Sequence, residues 1–207
     1  MDKTRYIQMD IIRGISMILI VLAHTNSPIN HFVYLFHLAM FFMLSGYFFK
    51  VDNVKDKKSL KIFIKKRIIR LYLPYVISNI ICILLNNVFI KVNLYSGISH
   101  DFFTIKDLFN QIVMVLLFSN TTEMVGATWF LPILFSITIV YGIIENLLNK
   151  FTRKSNLFQL FISILFFYIG KFLISNEITV LLIGVQFFTC YILFDICLLY
   201  TSPSPPD

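Results

Sequence analysis

The sequence predicts an all-α fold, a polytopic helical bundle set in a membrane. Hydrophobic residues make up 57% of the 207 and charged residues only 14%, where an ordinary soluble domain carries about 25% charge. The mean hydropathy is +0.79. The apolar residues are also gathered into windows, several of them near the ~20 residues that a crossing helix requires.

The first window, Ile11 to Ala23, sits where a signal peptide would. HTNSPINH follows it without a small-residue cleavage pattern, and further windows come after, so it reads as a retained helix. The second, Phe32 to Phe49, leads into the strongest charge feature of the chain. Between Lys50 and Tyr72 stand nine basic residues against Asp52 and Asp56, a surplus of +7 that equals the net charge of the whole protein. The positive-inside rule puts this segment in the cytoplasm, and the N-terminus with Lys3 and Arg5 on the same side, since two helices precede it. The third window is Pro74 to Ile90. Leu108 to Phe118 is too short to span comfortably, and a crossing there would put Lys150, Arg153 and Lys154 outside. A re-entrant or interfacial helix restores the charge rule and leaves Ser119 to Thr128 on the outer side. The remaining windows are Trp129 to Ile144, Leu157 to Ile174 and Ile178 to Ile196.

The tail breaks this pattern. CLLYTSPSPPD holds three of the six prolines and looks like the translation of a transposon adapter used in sequencing libraries. The expected division is therefore a membrane domain over 1–196 and a non-native tail over 197–207, with the natural protein continuing past Ile196. The alternative is a genuine Ser/Pro-rich disordered tail. Cys82, Cys190 and Cys197 have neither an even count nor metal-ligand spacing, so they read as small apolar packing residues, and no metal site is expected.

Within the first window, DIIRGISMILIVLAH, Arg13 and His24 stand eleven residues apart. Ionisable side chains are costly in hydrocarbon and mark functional sites by default. At ~100° per residue the second returns to within ~20° of the first, about 16 Å along the helix. One face then carries a cation near the cytoplasmic end and an imidazole near the outer end. Asp10 precedes Arg13 by one turn, so the plainer reading is a snorkelling Arg13 paired with Asp10 and a His24 at the interface.

Helix two reads FHLAMFFMLSGYFF, the basic segment ends in KKRIIRLYLPY, and a later helix opens with TWFLPILF. In this order the set resembles the acyltransferase-3 superfamily of integral-membrane O-acyltransferases, within it the branch similar to fucose 4-O-acetylases. The family's basic residue, ten residues, then His is matched by Arg13 and His24. Its Arg-x-x-Arg is matched by Arg67 and Arg70, and its His followed by Ser-Gly by His37, Ser45 and Gly46, with Ala39 where Pro is frequent. The matched motifs fall in about the first 140 residues.

The resemblance implies transfer of an acyl group, most simply acetyl, from cytoplasmic acetyl-CoA to a hydroxyl of a cell-envelope glycan or lipid-linked sugar. His24 would be general base or acyl carrier, both needing neutral imidazole. Arg13 and Asp10 would complete the catalytic group. Arg67 and Arg70 would hold the phosphates of CoA, since paired guanidinium hydrogen bonds suit phosphate better than lysine does. Their competing role is anchoring to anionic lipid, which Lys55 to Lys66 also serve. His37 is either a core histidine or a second site residue, and Trp129 either an interfacial anchor or part of the acceptor site. Acetyl-CoA enters as substrate, with no bound cofactor.

The rival from another class is a transporter or flippase in which Arg13 and His24 line the pathway, although the two halves show no internal repeat. Glycine-rich phosphate loops, nucleophile elbows and HExxH stretches do not occur in the sequence. Nucleic acid is not an expected partner, because the membrane accounts for the basic segment. The expected location is the cell membrane, multi-pass.

Overall fold

The computed structural model describes residues 7–23, 33, 37–95, 101–119, 122–151, 155–178 and 186–201. Among these the regular structure is entirely helical. Helix α1, Ile7–Ala23, covers the first apolar window, and α2, His37–Tyr47, the later part of the second. A 3-10 turn, Val51–Val54, follows.

The basic segment then departs from a simple loop. It forms α3, Lys57–Arg67, whose N-cap Asp56 accepts from the backbone N–H groups of Ser59 and Lys58 at 2.9 Å each. Those bonds hold the Asp56 carboxyl below the usual carboxylate range. Helix α3 runs through a π-helical turn, Ile68–Tyr72, into α4, Leu73–Lys91. The π turn has a cause in Pro74: a proline ring crowds the carbonyl four residues back, here Arg70, and the ladder widens to accommodate it. The result is one helix of 35 residues, Lys57–Lys91. At 1.5 Å per residue it is about 52 Å long, well over the ~30 Å of a hydrocarbon core. Its basic part, up to Arg70, is therefore read as standing outside the apolar run that crosses.

Helix α5, Ile105–Leu116, begins with a capping box in which Thr104 and Asp107 satisfy each other's backbone. At 12 residues it is about 18 Å long, too short to cross. It doubles back along α4. Asn87 near the far end of α4 exchanges hydrogen bonds with the backbone of Phe103, at 2.8 and 2.9 Å. At the near end the Tyr72 hydroxyl donates to the Leu116 carbonyl at 3.3 Å. The described part of Ser119 to Thr128, the segment expected on the outer side, begins against the first half of α4. Phe118 packs on Tyr72 and Tyr75, and Thr122 donates its backbone N–H, at 2.7 Å, and its hydroxyl to the carboxamide oxygen of buried Asn79. An amide buried in a span needs such partners.

A 3-10 stretch, Glu123–Trp129, leads into α6, Phe130–Phe151, followed by α7, Ser155–Ser175, and α8, Gln186–Thr201. Helix α8 continues through Ile196 to Thr201, and the prolines beyond it lie outside the described residues. Among the described residues, Lys57–Lys91, Met124–Asn149 and Leu157–Ser175 are long and apolar enough to cross a membrane, while Leu38–Tyr47 and Gln186–Leu198 are apolar but shorter.

Two clusters form the interior. In the larger, Phe49 sits among Phe63, Tyr141 and Phe194, tying α2 and α3 to α6 and α8. In the smaller, Tyr75, Val76 and Ile83 of α4 enclose Val115 of α5. The opposite stripe of α4, with Ile77, Ile81, Leu84 and Val88, is exposed, as a lipid-facing surface should be. Gly46 explains how α2 reaches α8. A Cβ there would lie 2.0 Å from the Phe194 carbonyl oxygen, so only glycine permits this approach. Ser45 instead turns its hydroxyl back to the Phe41 carbonyl at 2.9 Å.

Candidate functional site

Three helical segments converge on a cavity of about 400 Å³, within the size range of small-molecule sites. From α1 comes Arg13. It makes a 3.8 Å ion pair with Asp10 one turn earlier, both side chains being partly exposed, an arrangement that contributes little by itself. The same guanidinium lies 3.7 Å over the centre of the Phe48 ring, just past α2. That cation–π contact fixes Arg13 at the cavity rather than along the lipid face.

The second wall is α3 and its π turn, which present Ile62, Phe63, Lys66, Arg67 and Arg70. Arg67 stacks over Phe63 at 4.9 Å. Burial, then the neighbouring charges of Arg70 and Arg13, push the Arg67 guanidinium down to about 10. It is still a cation at neutral pH. The shift belongs to Arg67, the least exposed of the three, while Asp10 pairs with Arg13 and Asp52 also lines the cavity. The π turn matters here, because it widens the helix between Arg67 and Arg70 where both face the cavity. The third wall is the 3-10 turn with Asp52 and Asn53, and Ser59 closes the rim.

The arrangement is chemically suited to polyanions. Three planar forks and an ammonium surround a space with an apolar floor of ring edges, which suits phosphates attached to a partly apolar body. The cavity thus brings together Arg13, Arg67 and Arg70, which the sequence reading had assigned to different duties. Asp10 touches it through Arg13. Lys66, read as a lipid anchor, also lines it, and Phe48, Asp52 and Asn53 enter from positions whose only signal in the sequence is proximity to the basic run. His24 lies outside the described residues, and so does the side chain of His37, whose backbone opens α2. Trp129 is half-buried at the end of its 3-10 stretch, packed against the larger cluster, and does not line the cavity. Among the described residues no group of three or more His, Cys, Asp or Glu side chains is placed to hold a metal.

A family model described as an acyltransferase domain, Acyl_transf_3, matches residues 6–201. The chain belongs to the acyltransferase-3 family. No curated protein and no solved structure matches it. The protein is thus a membrane acyltransferase, an enzyme that transfers acyl groups other than aminoacyl groups, and the transporter reading gives way to it.

The acyltransferase also holds a second polar cluster, inside α6, α7 and α8. Tyr141 donates to one oxygen of Asp195 at 2.7 Å and Ser163 to the other. The Gln159 carboxamide donates to Glu145 at 3.1 Å and accepts from the Tyr191 hydroxyl at 3.1 Å. Among the described residues Glu145 Oε1 has no hydrogen-bond partner. The rule that singles out Arg13 and His24, an ionisable side chain within an apolar run, applies equally to Glu145 and Asp195, which the sequence reading passed over. Their bonds join three helices, and none of their side chains lines the cavity.

Proposed function

We propose that this acyltransferase is an O-acetyltransferase of the cell membrane, moving an acetyl group from cytoplasmic acetyl-CoA to a hydroxyl of a cell-envelope saccharide. The observation that carries the reading is the cavity where Arg13, Lys66, Arg67 and Arg70 meet, a cationic set matched to the phosphates of CoA. In this reading the N-terminus and the basic half of the 35-residue helix face the cytoplasm, where the donor is found. Asp10 orients Arg13.

His24 removes the proton of the acceptor hydroxyl as its oxygen attacks the thioester carbonyl. The C–S bond breaks as the C–O bond forms, and the proton passes to the departing CoA thiolate. If His24 acts as acyl carrier, the same bonds change in two steps. His37 and Trp129 are the proposed acceptor-side residues, an indole face being a suitable platform for a sugar ring.

The test expresses the full-length protein in a host lacking envelope O-acetylation and reads glycan NMR. New O-acetyl signals with wild type and none with His24→Ala are expected. Equal signals in both would remove His24 from the chemistry. An Arg67→Ala, Arg70→Ala double variant should weaken acetyl-CoA binding at least tenfold, and unchanged donor affinity would return the two arginines to lipid anchoring.

A further inference from the structure

Two carboxyl groups lie deep in the bundle, and the transfer chemistry above makes no use of them. Glu145 of α6 is 1% exposed and Asp195 of α8 is fully buried, and neither makes an ion pair among the described residues. Their surroundings are aromatic. Phe49 and Phe194 pack on the Tyr141 ring, and Phe166 and Phe187 on the ring of Tyr191. The two tyrosines are the other titratable side chains of the network, while α7 contributes neutral Gln159 and Ser163. Helices α2 and α3 meet the same cluster with Phe42 and Phe63, which carry no charge. Two buried carboxylates without a cation between them would be costly in any bundle, and more so in a membrane.

The hydrogen bonds point to how that cost is avoided. Tyr141 gives its proton to Asp195, Tyr191 gives its own to Gln159, and the Gln159 carboxamide donates to Glu145 Oε2. Ser163 has a single proton, yet its Oγ lies 2.7 Å from the Gln159 carbonyl oxygen and also within hydrogen-bond distance of the second Asp195 oxygen. A carbonyl cannot donate. With Asp195 ionised, Ser163 fills one of these contacts and the other is left as two oxygens with no proton between them. With Asp195 as the acid, its proton goes to Ser163 Oγ, Ser163 gives its own to the Gln159 carbonyl, and both contacts are filled. Glu145 is a different case. Its Oε1 is buried and has no hydrogen-bond partner among the described residues, so a carboxylate there would be balanced by the one bond from Gln159. The acid form leaves a hydrogen bond unmade, a far smaller cost than an unbalanced charge.

We infer that Glu145 and Asp195 form a proton-binding site inside the bundle, each taking one proton from water and holding it as a neutral carboxylic acid at neutral pH. The Asp195 proton is fixed between two oxygens. That of Glu145 has no acceptor, so Glu145 is the position at which the site loads and empties. A metal ion needs several oxygens turned toward one open space, whereas these side-chain oxygens are bonded to one another, and a proton enters without needing room.

The experiment records the infrared spectrum of the full chain in a detergent without ester or carboxyl groups, in neutral buffer with choline as the added cation. Exposed carboxyl groups are ionised there, so C=O stretches of the acid form report buried acids. Two bands are expected, both moving down in D2O: a lower one from hydrogen-bonded Asp195 and a higher one from Glu145. Asp195→Asn should remove the lower band and Glu145→Gln the higher, each amide reproducing the hydrogen bonding of a neutral acid and so keeping the fold. Ser163→Ala, which takes away the acceptor of the Asp195 proton, should raise the lower band and leave the higher in place. Absence of acid bands from the wild type overturns the inference without recourse to any variant, and so does their persistence in both amide variants. Loss of the wild-type bands when sodium replaces choline would make a cation the occupant and overturn it as well.

Discussion

At the scale of single residues, Arg67 shows how a cluster of cations works against the stability of the protein that carries it. A base whose folded value is lowered from 12.5 to about 10 binds its proton less well folded than unfolded. Between those values the unfolded chain keeps a proton that the folded chain has released, so stability rises with pH across that window and is diminished below it. The burial and repulsion responsible are present at neutral pH. Arg67→Met, which keeps the stem over Phe63 and drops the charge, should raise the thermal midpoint of the empty protein by a few degrees and lose stabilisation by pyrophosphate. A lowered midpoint would show that the guanidinium is held by something other than repulsion. In the buried cluster the same logic separates two substitutions. Glu145→Gln keeps an acceptor for Gln159 and should melt within about a degree of wild type. Gln159→Leu strands both Glu145 and the Tyr191 hydroxyl, at about 1–3 kcal/mol for each buried group left unmade, and should lower the midpoint markedly. The legible residues were those with helical spacing: Asp10 with Arg13, and Arg67 with Arg70. Asp52 and Asn53 were not, because a short turn has no periodicity and their placement depends on Asn146, far along the chain.

At the scale of elements, hydropathy marks where helices lie but not how they join. The apolar windows correspond to α1, α4, α6 and α7, and the short window to α5. The continuity of α3 into α4 was hidden, because a charged amphipathic helix and an apolar one differ in composition and only backbone hydrogen bonds show them to be one. Close contacts between elements make a sharper prediction through glycine. At Gly46 an added Cβ meets the Phe194 carbonyl oxygen at 2.0 Å, and backbone cannot turn aside. At Gly142 it meets the Phe63 ring at 3.2 Å, and at Gly14 nothing lies within 4 Å. Gly46→Ala should therefore separate α2 from α8 and reduce the yield of folded protein. Gly142→Ala should be mildly destabilising, and Gly14→Ala should stabilise by about 0.5–1 kcal/mol through the helix entropy that glycine forfeits. Thermal melts of the three in one detergent give the order, and a Gly46→Ala protein as stable as wild type would mean that the two helices do not pack there. The Thr104–Asp107 cap has its own signature. Hydrogen bonds from Thr104 lower the Asp107 carboxyl below its ordinary value, so its contribution is full above the ordinary carboxylate range and fades as pH falls through the lowered value.

At the scale of the whole molecule, the question is which end of the bundle faces which compartment, since a cytoplasmic donor requires the cavity to be inside. The continuous helix makes this testable with two positions. Lys61 lies in its basic part, next in sequence to Ile62 of the cavity wall. Thr104 follows Phe103, which is hydrogen-bonded to Asn87 near the opposite end of the same helix. The apolar run between them has the length of a crossing, so the two positions are separated by one membrane whatever the path of α5 and the segment after it. Seven cationic side chains between Lys57 and Arg70 would each have to be carried across for the reverse orientation, which the charge bias of insertion opposes. In a background with Cys82, Cys190 and Cys197 replaced by alanine or serine, Lys61→Cys should react with a membrane-impermeant maleimide only after cells are opened. Thr104→Cys should react in intact spheroplasts. The reversed pattern would place the arginine cavity outside, away from any supply of acyl-CoA, and would remove the cytoplasmic donor along with it. Labelling of both from one side would mean that the 35-residue helix lies along the membrane rather than through it.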